Sequence, residues 1–221
     1  MEPIHFHRGF SLIELMVVLA IIITITGVVL TNQSSFNKSL ILANTAYDVA
    51  LSVRNAQTFG LSSRVISTAT NVGYGVNFDR ATPNKFTLFT DTYPLPGAVS
   101  NCHPVSDPTA PNARPGDCAY ESNQSEKVTE YVLGNNITIT DICAYSSSSW
   151  SCSSSNGGNL STLDIVFARP NSDAFMSKNG VYSSSFPVTA ACIVLSSAQG
   201  GARYVAVGLS GQITADAASC P

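Results

Sequence analysis

A single apolar run decides most of what this chain can become. From Phe10 to Leu30 there are 21 residues with one charged member, Glu14, and an α-helix needs about 20 apolar residues to cross the hydrocarbon core of a bilayer. The run holds 14 Leu, Ile, Phe or Val residues. These favour insertion by about 4 to 8 kcal/mol, whereas a carboxylate costs about 2.5 to 3.5 kcal/mol at the bilayer centre and less near its edge. Insertion wins, so the segment reads as membrane-spanning, and its acid becomes the anomaly: an ionisable group inside a span needs a partner. Arg8, His5 and His7 stand before the run, and the positive-inside bias keeps that end cytoplasmic, with a single pass of the membrane. A secretory signal is the plain competitor. Its apolar core is roughly 7 to 15 residues and ends at a small-x-small cut, whereas this run is longer, lacks Ala-x-Ala after it and encloses the acid.

Gly9 followed by Phe10-Ser11-Leu12-Ile13-Glu14 resembles the cleavage and methylation signature of type IV prepilins and type II secretion pseudopilins. The resemblance covers residues 8 to about 30. It implies that a membrane-embedded aspartyl prepilin peptidase cuts between Gly9 and Phe10, that the new amine of Phe10 is N-methylated, and that Glu14 serves assembly as the fifth residue of the mature chain. The physical reading of the acid is compatible. Cutting before Phe10 creates an α-amine, the cation that a lone carboxylate in apolar surroundings requires. Within one helix that amine points back from the first turn, whereas a neighbouring helix offset along the axis can present its own amine to Glu14. The acid then sets register between subunits, as buried polar groups do in coiled coils.

Beyond Leu30 the chain has ten Lys/Arg and twelve Asp/Glu, a balance that leaves no electrostatic footprint for nucleic acid. Only 11% of the chain is charged, against roughly 25% in an average soluble protein, so Ser, Thr, Asn and Gly carry the polarity. Six cysteines, Cys102, Cys118, Cys143, Cys152, Cys192 and Cys220, all follow the span and emerge on its oxidising side, where disulfides form. Order along the chain favours Cys102–Cys118, Cys143–Cys152 and Cys192–Cys220 among the 15 pairings that six cysteines allow. No Cys-x-x-Cys occurs and His103 is the one histidine past the span, so the pattern does not read as a metal site. Nothing in it calls for a cofactor.

The helical pattern continues past the membrane. Phe36, Leu40, Ala43, Tyr47, Ala50 and Leu51 recur at steps of three and four, one apolar stripe expected to pack on a sheet. No proline falls between Pro3 and Pro83, and Gly60 is the expected C-terminal stop. The reading is a helix from about Ser11 to Phe59, on the order of 70 Å at 1.5 Å per residue, with Gly27 and the Thr24/Thr26 pair as its weak points. Thereafter the period becomes two. Strands are expected at 64–70, 73–79, 85–91, 127–133, 137–142, 160–169, 188–196 and 202–209, with a last one starting at Gly211. Gly134-Asn135-Asn136 reads as a hairpin turn, as does Gly200-Gly201, and Asn179-Gly180 marks another turn. Residues 93–120 and the serine-rich 146–159 read as loops, with Trp150 either packed over the Cys143–Cys152 link or exposed as an anchor. The resulting class is α+β: a long N-terminal helix, membrane-spanning and then amphipathic, on an antiparallel β domain with disulfide-pinned loops. Its divisions are a leader at 1–9, the span at 10–30, the amphipathic half at 31–60 and a β-rich extracytoplasmic domain at 61–221.

No enzyme is read here. His103 is the sole histidine available to a nucleophilic triad, no nucleophile elbow is present, and the acids lack calcium-loop spacing. The block from Cys192 through Arg203–Gly208 to Ile213 is similar to the C-terminal end of H-type minor pseudopilins and related minor pilins. The resemblance therefore implies a structural, non-catalytic subunit of a type IV pilus or type II pseudopilus, a minor one on the strength of its loops and C-terminal block. Its implied partners are other pilin-type subunits, the prepilin peptidase and the inner membrane. A DNA-binding minor pilin for DNA uptake needs clustered Arg or Lys near the C-terminus, where only Arg203 stands. A signal-anchored ectodomain that never assembles is the remaining alternative.

Overall fold

The computed structural model describes residues 9–62, 72–93, 102, 116–154, 159–170, 172–198, 200–217 and 219–220. Its elements are one helix, α1 (Leu12–Leu61), followed by β1 (Gly73–Asp79), β2 (Lys85–Asp91), β3 (Lys127–Val132), β4 (Ile137–Ser146), β5 (Ser149–Cys152), β6 (Thr162–Phe167), β7 (Ala174–Lys178), β8 (Ala190–Ser197), β9 (Ala202–Gly208) and β10 (Ile213–Ala217). The fold is α+β. It divides into two compact units, Met1–Leu40 and Ile41–Pro221.

In the first unit, the Leu15 amide donates to the Ser11 carbonyl at 3.2 Å, which places Ser11 at the N-cap of α1. No part of Leu12–Leu30 is buried. The helix runs unbroken through Gly27. The Thr24 hydroxyl donates back to the carbonyls of Ala20 and Ile21, at 3.0 and 2.8 Å, so this polar group is satisfied without any partner outside its own helix.

The second unit sets the rest of α1 against two antiparallel five-stranded sheets, ordered β3-β2-β1-β6-β7 and β10-β9-β8-β4-β5. One core joins all three elements. Leu42, Ala46, Val49, Val53 and Ala56 of the helix meet Tyr74, Val76 and Phe78 of β1, Leu163 and Ile165 of β6, and Ile142, Ile193 and Leu195 of the second sheet. Strand residues enter it at alternate positions, as the pleat requires.

Three sequence expectations need correction. Of the expected stripe Ala50 is buried, but Phe36, Leu40, Tyr47 and Leu51 are exposed, so its large residues are not the packed ones. The buried face is displaced around the helix and built of smaller side chains, because here the backbone comes close to the sheet. Gly60 shows how close: it lies within the helix, and a Cβ on it would overlap the carbonyl of Phe167 on β6. Its role is close approach to the sheet, and the helix stops one residue beyond the expected position, at Leu61. Gly134-Asn135-Asn136 does not make a hairpin either. Asn135 and Asn136 have φ of 58 and 55°, but β3 pairs with β2 and β4 with β8, so the turn passes the chain from one sheet to the other.

The serine-rich segment is partly a strand. Ser147 and Ser148, at φ 51 and 64°, turn β4 into β5 with Tyr145 opposite Trp150, the two-residue left-handed turn that suits a hairpin. Asp141 anchors the exit, its carboxylate accepting from the Ser153 hydroxyl at 2.7 Å, from the Ser154 amide at 3.0 Å and from the Ser154 hydroxyl. The strand expected at 64–70 and His103 lie outside the described residues.

The two helix faces should separate cleanly in denaturation of the full chain in detergent. Leu42→Ala, which empties a fully packed position, is expected to cost about 2–5 kcal/mol, and Leu51→Ala, on the exposed face, less than about 0.5 kcal/mol. Equal losses would mean the packed face is misassigned.

Candidate functional site

From Gly9, the first described residue, the segment that bears the processing motif is exposed. Gly9, Phe10 and Ser11 precede the first helical residue. Gly9 has no neighbour within 4 Å of where a Cβ would stand, and Phe10 is 78% exposed. The Gly9–Phe10 peptide therefore lies on uncovered backbone ahead of the helix, where a protease can reach it. Glu14 follows in the first helical turn, and Ser11-x-x-Glu14 has the spacing of a capping box, with Ser11 at the N-cap and Glu14 at the third helical position. An acid there favours the helix N-terminus through the aligned peptide dipoles. That geometry gives Glu14 a second physical role, one the sequence reading did not weigh.

The six cysteines lie in three pairs at disulfide distance. Cys102–Cys118, Cys143–Cys152 and Cys192–Cys220 have Cα–Cα separations of 5.7, 4.0 and 5.7 Å. Cys102 and Cys118 join Phe89 and Val166 in a small cluster on the face of the first sheet turned away from the helix, flanked by Tyr120, Phe175 and Tyr182. Trp150 packs its ring 5.3 Å from that of Tyr145, beside the Cys143–Cys152 pair. Two groups, Asp91/Cys102/Cys118 and Asp141/Cys143/Cys152, bring ligand-type atoms within 4.8 Å. In each the sulfurs are bonded to one another, and a single remaining carboxylate is no metal site.

Scattered acids of the sequence converge on the first sheet, where sequence reasoning foresaw no grouping. Asp91 is fully buried, with its carboxylate accepting from the amides of Asp117 and Cys118 at 3.0 and 2.9 Å. Gly116, at φ 109°, leaves room for it, since a Cβ there would overlap the Asp91 carboxyl. Glu126, also buried, accepts from the amides of Thr92, Tyr93 and Glu121. Burial, then the charge of Glu126, pushes the Asp91 carboxyl well above its usual range. Burial and the neighbouring Glu126 raise Glu121 to about 9. Asp164 sits in a polar row across the sheet, with Asn77 and Ser177 as its register partners. Asn77 Nδ2 donates to it at 2.7 Å, yet burial still carries its pKa up to about 8. The alternation of β6 did signal that Asp164 faces away from the core; what the sequence left unsaid is that this second face is covered too.

Residues 5–30 match the family profile described as the prokaryotic N-terminal methylation motif. No curated protein and no solved structure matches the chain. The match supports a type IV pilin-like precursor processed at its N-terminus and points to a structural rather than a catalytic protein. With the apolar helix and the paired cysteines, it is consistent with a membrane-anchored subunit exported to a filament.

The buried acids set a pH dependence whose sign is fixed. Asp164 keeps its proton in the folded state up to about pH 8, whereas its ordinary value is 3.8. Below both values the group contributes nothing; between them the unfolded chain ionises and the fold does not, so stability falls as pH rises. The slope from one such group is up to about 1.4 kcal/mol per pH unit. Asp164→Asn, which keeps an acceptor for Asn77, is expected to flatten the decline between pH 5 and 8 and to exceed the wild type in stability at pH 8. Denaturant midpoints of both proteins across that range give the comparison, and parallel curves would contradict it.

Proposed function

We propose that this protein is a structural subunit of a type IV pilus or type II secretion pseudopilus, cut between Gly9 and Phe10, methylated on Phe10 and assembled through its N-terminal helix. The observation that carries the reading is the uncovered apolar helix Leu12–Leu30, which lies within the matched motif at residues 5–30. In lipid its side chains are solvated by acyl chains. A subunit raised out of the bilayer needs another dry environment for them, and similar helices of neighbouring subunits provide it.

Glu14 has two states in this scheme. In the precursor it caps its own helix. After cleavage the Phe10 amine becomes available, and the carboxylate of one subunit pairs with the amine of the next, fixing their axial offset. A minor subunit is favoured by the C-terminal block from β8 to β10; of the two long loops expected, 146–159 holds strand β5 (Ser149–Cys152) and lends less weight.

Mature protein from membranes is expected to begin with methyl-Phe10 by N-terminal mass spectrometry. An intact Met1 would eliminate the reading. Glu14→Leu is expected to insert and be cut as the wild type is, while its recovery in sheared filaments or pseudopilus fractions drops to background. Wild-type recovery would remove Glu14 from assembly and leave its capping role alone.

A further inference from the structure

Three cysteines stand in one row of the second sheet. Cys152 on β5 faces Cys143 on β4, and Cys143 faces Cys192 on β8. Facing residues of an antiparallel ladder project to the same side, so Cys143 is flanked by sulfur on both sides while bonded to only one. The Ser153 amide donates to the Ile142 carbonyl at 2.9 Å, which makes 142/153 a hydrogen-bonded pair and 143/152 the narrow pair, with its Cα atoms 4.0 Å apart. Alternation along β4 then makes Cys143/Cys192 a hydrogen-bonded pair, for which a Cα separation of about 5.5 Å is usual. That value falls within the roughly 4.4–6.8 Å that a disulfide spans. Burial is graded along the row. Cys143 and Cys192 are buried, whereas their partners Cys152 and Cys220 are partly exposed.

We propose that this row is a thiol–disulfide exchange site, modified at Cys152 by a low-molecular-weight thiol and relayed through Cys143 to open the Cys192–Cys220 link. The external thiolate attacks Cys152 Sγ; the Cys152–Cys143 bond breaks, a mixed disulfide forms on Cys152, and Cys143 leaves as a thiolate. Cys143 then attacks the facing Cys192 Sγ. The Cys143–Cys192 bond forms, the Cys192–Cys220 bond breaks, and Cys220 leaves as a thiolate that takes a proton from water. Two disulfides exist before and after, and one thiol is consumed as one appears, so no oxidant is needed. Attack begins at the exposed sulfur, and the second step is intramolecular between neighbours held in register. Its product frees the chain beyond β10 from its tie to β8.

The full chain in detergent, treated with limiting glutathione, quenched by alkylation and mapped without reduction, reads the outcome. The expected species carries glutathione on Cys152, a Cys143–Cys192 cross-linked peptide and alkylated Cys220, with matching loss of the Cys192–Cys220 peptide. Glutathione on Cys152 with Cys143 alkylated and Cys192–Cys220 intact would overturn the relay, as would first attack at Cys220. Cys152→Ser gives an independent arm, since it leaves Cys143 without its partner. Purified from an oxidising compartment, this variant is expected to show Cys143 joined to Cys192 and Cys220 alkylated, and a free Cys143 beside an intact Cys192–Cys220 pair would refute the proposal.

Discussion

Leu12–Leu30 is a helix with no buried part, and water is a poor solvent for it: its large side chains are apolar while every backbone group is satisfied internally. That constraint separates the requirements on the two units. The first must meet lipid or other apolar helices, and the only charge within its Leu12–Leu30 stretch, Glu14, sits in the first turn, where an acid can both favour its own helix N-terminus and find an external cation. The second must be stable without help from the first, and its core has Leu42 as its first helical member.

How the helix meets the sheets explains why the sequence misleads at that point. Two stripes run along Ile41–Leu61. The one with larger residues, including Tyr47 and Leu51, faces outward. The one that packs uses Ala46, Val49, Val53, Ala56 and Gly60, because close approach of backbones favours small side chains. Gln57 adds a specific tie, its side-chain amide Nε2 donating to the Gly211 carbonyl at 3.0 Å. Size and period are legible in a sequence; the distance at which two backbones meet is not. By contrast β1, β2 and the β8–β9 hairpin were legible, since alternation and turn chemistry are local. The assignment of β3 and β4 to different sheets was not, since the same Asn-Asn turn serves a hairpin or a crossing between sheets.

The candidate site divides in the same way. Gly9, Phe10 and Glu14 are contiguous, so the motif is visible without a fold. The acids on the first sheet come from three separated stretches, at 91, 121–126 and 164, and the sheet that pairs β1 with both β2 and β6, with Glu126 bound at the end of β2, brings them near one another. Their protonation follows from that burial. A carboxyl that stays neutral can accept and donate, which is how Asp164 remains beside Asn77 and Ser177 without a cation to balance it.

Each sheet also has an outer face to protect, and cystines contribute to both. On the first sheet Cys102–Cys118 joins an aromatic cluster; on the second, Cys143 and Cys192 are buried side by side. These links do unequal work. By loop closure alone, the sequence separation of 9 in Cys143–Cys152 contributes about 2.6 kcal/mol, and the separation of 28 in Cys192–Cys220 about 3.6 kcal/mol. The shorter link also joins strands that a two-residue turn and a hydrogen-bonded ladder already hold together, so its constraint on the unfolded chain is partly redundant. The longer one ties a C-terminal segment that leaves the sheet after Ala217. Of the two neighbouring bridges, the one whose loss costs least is thus the one with its outer sulfur on the hairpin β5, and the one that holds a segment in place lies next to it in register.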